Sequence, residues 1–267
     1  MITVLKLGGE LLEDVEAMRR MAEAIRGLTL DGRVVVVHGG GRAIDADLRS
    51  RGLEPRFVDG LRITDEAALE SVVAVLAGRT NTAFVGALYA AGVRAVGLTG
   101  ADAGIGTAAL APPFVTTRGE KVDLGRVGIP HRTSATLLRD LLALGYVPVV
   151  ASIGVDAGGR LLNVNADTFA GYAAAALGAD RLLVAGGTAG VLDGTGATVP
   201  SLDDAEIDRM IASGTAHSGM VAKLAACRVA LDGGVTHVAI VAGKGVTDFT
   251  GTTGTQIVRT HGAMETR

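Results

Sequence analysis

The stretch "LKLGGELL", residues 5–12, decides how the chain is read. It closes a β-type apolar run, "ITVLKL" (2–7), with a lysine followed at once by two glycines. Glycines that end a strand and open a helix leave backbone N–H groups and a positive helix end free to hold a phosphate. A second stretch, "VVVVHGGGRAI" (34–44), repeats the pattern. A continuous β-branched run, as in a strand covered on both faces, leads into Gly39-Gly40-Gly41 and then the helix-like "RAIDADLRSRGL" (42–53). Either loop alone is equally an ordinary tight turn. Two of them after the first two strands, one with a lysine two residues ahead, point to a ligand. In an open α/β sheet that ligand sits outside the carboxyl ends of the strands. The common phosphate fingerprints are absent: no G-x-x-x-x-G-K-[ST] string occurs, and residues 39–44, G-G-G-R-A-I, lack the third glycine of the dinucleotide motif.

Outward from these stretches the chain alternates strand and helix. Residues 11–28 space their apolar side chains as an amphipathic helix, and 67–92 read as two helices broken near Gly78–Asn81. "RAVGLTG" (94–100) reads as a strand, 101–129 as an irregular Gly/Pro-rich connection holding a small hairpin, 130–145 as a helix and "YVPVVASIGV" (146–155) as a strand. Residues 165–179 are a helix, 180–192 a strand and glycine loop, 201–214 and 219–234 helices, and 236–243 and 254–258 strands. The alternation predicts an α/β fold, an open αβα sandwich with a mainly parallel central sheet. A soft boundary after the Ala-rich helix divides it into lobes 1–178 and 179–267.

Composition removes several classes. The 267 residues hold one cysteine, Cys227, which excludes an internal disulfide framework and a cysteine zinc cluster. The net charge of −3, no tryptophan and 3% aromatic residues argue against nucleic-acid binding. No apolar run approaches the ~18 residues of a membrane helix, and the N-terminus lacks the layout of a signal peptide, so no membrane and a cytoplasmic location are expected.

The ordered set "KLGG", "VHGGG", "GLRIT" (60–64), "LAGRTN" (76–81), "VPVVASIGV", "LLNVNAD" (161–167), "GMVAK" (219–223) and a terminal "GT-I" resembles the N-acetyl-L-glutamate kinases of the amino acid kinase family over nearly the whole chain. The resemblance implies phosphoryl transfer from ATP to the side-chain carboxylate of N-acetyl-L-glutamate, the second step of arginine biosynthesis. It implies an N-terminal lobe for the amino-acid substrate and dimerisation, a C-terminal lobe for ATP, and a homodimer. The chemistry is coherent, because a carboxylate with a pKa near ~4.3 needs no general base. By the resemblance Lys6 and Lys223 flank the transferred group and Asp167 orients both lysines. Arg62 and Asn163 hold the substrate with Gly40 and Gly41. Gly8, Gly9, Gly187, Gly190, Leu192, Thr215, His217 and Gly219 lie on the phosphate and ATP side. Each has a plainer reading. Lys6 can snorkel from a strand end, Lys223 can sit exposed on a helix, Asp167 can cap one, and Arg62 and Asn163 can be loop residues. His38 reads as a structural residue and Cys227 as a small apolar one. No carboxylate cluster has metal spacing, so Mg²⁺ is expected to ride on the nucleotide.

The chain also departs from the family pattern. Where relatives usually carry Ser/Thr-Asp after the strand "RLLVA", it has Gly186-Gly187, and Thr82 stands where a lysine is usual. Three rivals stay open: a kinase for carrier-linked aminoadipate or glutamate, an N-acetyl amino acid or uridylate kinase of this fold, and a non-catalytic amino-acid sensor. With the first strand starting near Ile2, the extra N-terminal helix of arginine-inhibited hexameric members does not fit, so arginine insensitivity is expected.

Overall fold

The computed structural model describes residues 1–259 apart from 117, 217 and 252. Its centre is β1 (Ile2–Leu7), which pairs in parallel with β2 (Arg33–His38) on one side and β9 (Arg181–Gly186) on the other. Beyond β2 lie β6 (Val147–Ala151) and the edge strand β3 (Ala95–Thr99), both parallel. Beyond β9 come β11 (His237–Ala242), parallel, then β12 (Gly254–Ile257), antiparallel, and the short β10 (Ser201–Leu202). The order β10-β12-β11-β9-β1-β2-β6-β3 reverses direction at β1. The switch point of a doubly wound sheet, where a ligand crevice forms, therefore lies at the carboxyl end of the lysine-bearing strand.

Helices cover both faces. Leu5, Leu7, Val34 and Val36 pack against Met21, Ile25 and Leu28 of α1 (Val15–Asp31) and Phe84 and Leu88 of α4 (Asn81–Ala90). Val4, Val35, Val37 and Val184 face the opposite core with α5 (Thr136–Ala143), α6 (Ala166–Leu177) and α8 (Ser218–Asp232). Strand alternation puts Lys6 on the same face as Val4, toward α6 and α8. A second sheet of four strands, β4 (Thr107–Leu110), β5 (Val127–Arg132), β7 (Ile153–Val155) and β8 (Leu161–Val164), closes on itself beside the main one. It delivers Asn163 and the start of α6. The remaining helices are α2 (Gly41–Ser50), α3 (Glu66–Val73) and α7 (Asp204–Ala212).

The structure corrects four local expectations. The first helix starts at Val15, not Leu11, because Asp14 caps it, its Oδ1 accepting from Ala17 N at 2.7 Å. Residues 130–132, expected to start a helix, instead end the strand Val127–Arg132, and helix begins only at Thr136. The run 146–155 is two strands, the second leaving for the small sheet. No break separates α3 from α4: a π-helical segment, Ala74–Thr80, carries the helix through. That continuous helix, Glu66–Ala90, is 25 residues and apolar enough by composition to cross a membrane, which the sequence reading missed. Val72, Val75 and Leu76 are buried against α2, and Phe84 and Leu88 under the sheet, so here it is a core helix. The hairpin expected within 101–129 is present, Phe114–Val115 pairing with Lys121–Val122.

Candidate active site

The two glycine loops meet. A Cβ on Gly9 would lie 2.7 Å from Gly40 Cα, closer than side-chain carbons come, so the loops after β1 and β2 are packed backbone on backbone. Gly8 N donates to Ala185 O at 3.0 Å, tying the first loop to β9, and Gly40 precedes α2, whose first residue is Gly41. The amino end of α2 thus opens onto the junction with its positive macrodipole.

Lys6 is almost wholly buried, and its Nζ stands 2.9 Å from Asp167 Oδ1. Lys223 Nζ approaches Asp167 Oδ2 at 4.0 Å and Gly219 O at 3.5 Å. Asp167 is not the cap of α6. Asn165 is, its Oδ1 accepting from Asp167 N at 2.9 Å and Thr168 N at 3.1 Å. The Asp167 carboxylate is therefore left to the two cations, and Oδ1 accepts no hydrogen bond, so the Lys6 contact is an ion pair. Such a buried pair is costly to assemble, at several kcal/mol of lost hydration per ion, and is weak evidence for stability. It is a stronger indication of a site that needs charge. Lys223 is brought near because α6 and α8 pack closely through small residues: a Cβ on Gly171 would lie 2.4 Å from Ala226 O.

Next to this cluster is a cavity of about 210 Å³ lined by Gly39, Gly40, Gly41, Arg62, Asn163 and Asn165, among others. The Arg62 side chain is largely buried, with Nη2 donating to Asp45 Oδ1 at 2.6 Å and Gly41 O at 3.2 Å. Its guanidinium lies over the Phe57 ring at 4.6 Å, and its Nη1 is buried with no hydrogen-bond partner. A guanidinium arm desolvated without an acceptor is unfavourable unless a ligand supplies one. Asn163 Nδ2 donates to Thr64 Oγ1 at 3.0 Å.

His38 is fully buried, and burial lowers its pKa to about 4, so the ring is neutral. Nδ1–H donates to Gly39 O at 3.2 Å, and Nε2 accepts from Asn81 Nδ2 at 3.0 Å, which fixes that tautomer and braces the second glycine loop. Burial also pushes the Cys227 thiol well above its usual range.

The remaining expected residues scatter more widely. Gly187 lies beside Glu10, its N–H donating to Glu10 Oε1 at 3.0 Å. Gly190 has φ +149, and a Cβ there would meet Thr255 Oγ1 at 2.7 Å and Thr198 Cγ2 at 2.8 Å, so packing alone demands glycine. Leu192 forms an isolated bridge with Thr198, and Thr215 bonds Ser213 at 2.9 Å. Gly219 lies in the first turn of α8, and His217 is outside the described residues. Asp45, Phe57, Thr64, Asn81 and Glu10 escaped the sequence reading. Thr64 and Asn81 close the quoted stretches "GLRIT" and "LAGRTN" without having been given a role, and Asp45 lies one turn after Gly41 on α2.

A cleft of this kind, at the switch point of a parallel sheet, is that of an α/β protein built to hold a phosphorylated ligand. The chain belongs to the amino acid kinase family, whose family model matches residues 1–242. It is 41% identical over 249 residues to an acetylglutamate kinase of Sphingopyxis alaskensis, covering 90% of this chain and 82% of that one. It is 39% identical over 252 residues to an acetylglutamate kinase of Methanopyrus kandleri, covering 93% and 98%. Among solved structures, N-acetylglutamate synthase of Neisseria gonorrhoeae, complexed with coenzyme A and N-acetyl-glutamate, superposes with a TM-score of 0.80 at 26% identity. That match covers 97% of this chain and 59% of the synthase.

Proposed function

We propose that this chain is an acetylglutamate kinase, transferring the γ-phosphoryl group of ATP to the side-chain carboxylate of N-acetyl-L-glutamate in arginine biosynthesis. The convergence of Lys6 and Lys223 on the buried Asp167 carries this reading at the site, together with relatives about 40% identical over nine-tenths of the chain. A carboxylate oxygen attacks the γ-phosphorus, the bond to the β,γ-bridging oxygen breaks, and ADP leaves with the released electron pair. No proton moves, which suits a site whose buried histidine, His38, is neutral and braced.

Lys6 and Lys223 offset the charge of the phosphoryl group as it passes between two anions, and Asp167 keeps both amines aimed. Backbone N–H groups of Gly9, Gly40 and Gly41 take the phosphoryl oxygens, while the N–H of Gly8 is spent on Ala185 O and anchors the loop to β9. The free arm of Arg62 takes the substrate's α-carboxylate and Asn163 its remaining polar groups. ATP brings Mg²⁺, which neutralises phosphate charge; among the described residues no group of three or more metal-ligating side chains offers it a site of its own. Residues 1–178 form the substrate and dimer lobe, 179–267 the nucleotide lobe, and the enzyme works as a cytoplasmic homodimer.

The test is ADP release with and without N-acetyl-L-glutamate, trapping the acyl phosphate with hydroxylamine. Wild type turns over only with the acid present. Lys6→Ala is expected to lose at least about 10²–10³ in kcat while keeping substrate binding. Near-normal turnover by Lys6→Ala, or turnover indifferent to the acid, refutes the reading.

A further inference from the structure

The roles above leave one charged group on the glycine cradle without a task. The Glu10 carboxylate lies between the loops that end β1 and β9. Both its oxygens stand 2.4 Å from where a Cβ on Gly8 would be, and Oε1 lies 3.5 Å and 3.8 Å from such positions on Gly186 and Gly187. Lys223 Cε comes within 3.6 Å of the same Gly186 position. Glu10 accepts one hydrogen bond there, from Gly187 N at 3.0 Å through Oε1, which leaves Oε2 unengaged among the described residues. Asp167, the other carboxylate of the site, already faces a lysine with each oxygen.

We infer that Glu10 receives the divalent cation that travels with the nucleotide. This rests on the kinase reading above. A bare carboxylate turned toward a polyphosphate repels it, whereas a hard cation between them is held by both, and Mg²⁺ is commonly bound by one or two carboxylates together with substrate phosphates. The cation cannot use Asp167 without stripping the lysines of their counter-charge. The placement also accounts for Gly186-Gly187. The acid expected at that loop is missing from this chain, and a carboxylate reaching across from the first loop comes to 3.8 Å from where a Cβ on Gly187 would be, an ordinary contact distance.

Calorimetric titration of ADP into wild type and Glu10→Gln, each with Mg²⁺ and with EDTA, tests this, with thermal melting as the check on folding. Wild type should bind ADP about tenfold or more tighter with Mg²⁺. Glu10→Gln should lose that gain while its metal-free affinity is unchanged or improved. Glu10→Gln/Gly187→Asp, which moves the acid to the facing loop, should recover it; Gly187 has no positive φ to forbid a side chain. A Glu10→Gln protein that keeps the full Mg²⁺ gain overturns the assignment of Glu10 alone. A tighter complex for Glu10→Gln under both conditions would make Glu10 a competitor of the phosphates instead. Wild type binding no ADP at all overturns the kinase reading with it.

Discussion

Replacing Gly9 with alanine tests the geometry most directly. The added methyl would lie 2.7 Å from Gly40 Cα and 3.0 Å from Gly40 N. Carbon atoms rest at about 3.5–4.0 Å, so the loops must part by roughly 1 Å. Neither yields easily. Gly8 is bonded to β9 through Ala185 O, and behind Gly40 the side chain of Leu76, on the core helix, stands 2.8 Å from where a Gly40 Cβ would be. Overpacking of this kind costs about 1–3 kcal/mol, hence a fall in Tm of roughly 2–10 °C. A displacement of about 1 Å between phosphoryl and acceptor loops costs on the order of 10²-fold in kcat. The assay is hydroxamate formation at saturating ATP and N-acetyl-L-glutamate, beside a thermal melt. Gly86→Ala is the control, since that glycine is exposed on α4 with nothing within 4 Å of a Cβ, and it should gain up to about 1 kcal/mol. A Gly9→Ala enzyme with kcat within about threefold of wild type and an unchanged Tm would refute the back-to-back loops as the determinant of alignment.

Arg62→Lys keeps the charge but loses the second arm of the fork and the stack on Phe57. It should raise KM for N-acetyl-L-glutamate about 10–100-fold with little change in kcat or in KM for ATP, and a KM within twofold of wild type would remove the assignment. His38 gives a pH dependence of stability. Its pKa is lowered to about 4 in the folded chain from 6.5, so between those values the unfolded chain binds the extra proton. Stability from this residue is complete above pH 6.5 and falls with pH toward about 4, by roughly 3 kcal/mol in all. Urea unfolding at a series of pH values should show that slope, and His38→Gln should flatten it.

Much of the frame was legible because burial on both faces writes strands as unbroken β-branched runs, as in 33–38, and because glycine pairs mark strand ends. Where the reading slipped, a longer-range partner had overridden a local signal. Leu11 and Leu12 look like a first helical turn but are buried, with Leu11 Cδ1 lying 2.3 Å from where a Cβ on Gly243 would be. Gly78 looks like a helix break, yet the π segment runs through it, and the nearby Asn81 spends its amide on His38 and on Val149 O at 2.9 Å. Within the site, the glycine loops and Lys6 declare themselves by residue type and spacing. Lys223 is an unremarked helix lysine until α8 is laid on α6. Glu10 had no signal, because its partner Gly187 is 177 positions away.

The strand order has a consequence for synthesis. β1 lies in the middle of the finished sheet, and while β2 follows soon after, the other flank of β1 waits for residues 181–186. At ordinary elongation rates that is roughly 10–30 s on the ribosome with Val4, Leu5 and Lys6 lacking a neighbour on that side. A nascent chain of this topology must keep an apolar edge from foreign strands until its second half arrives to close over it.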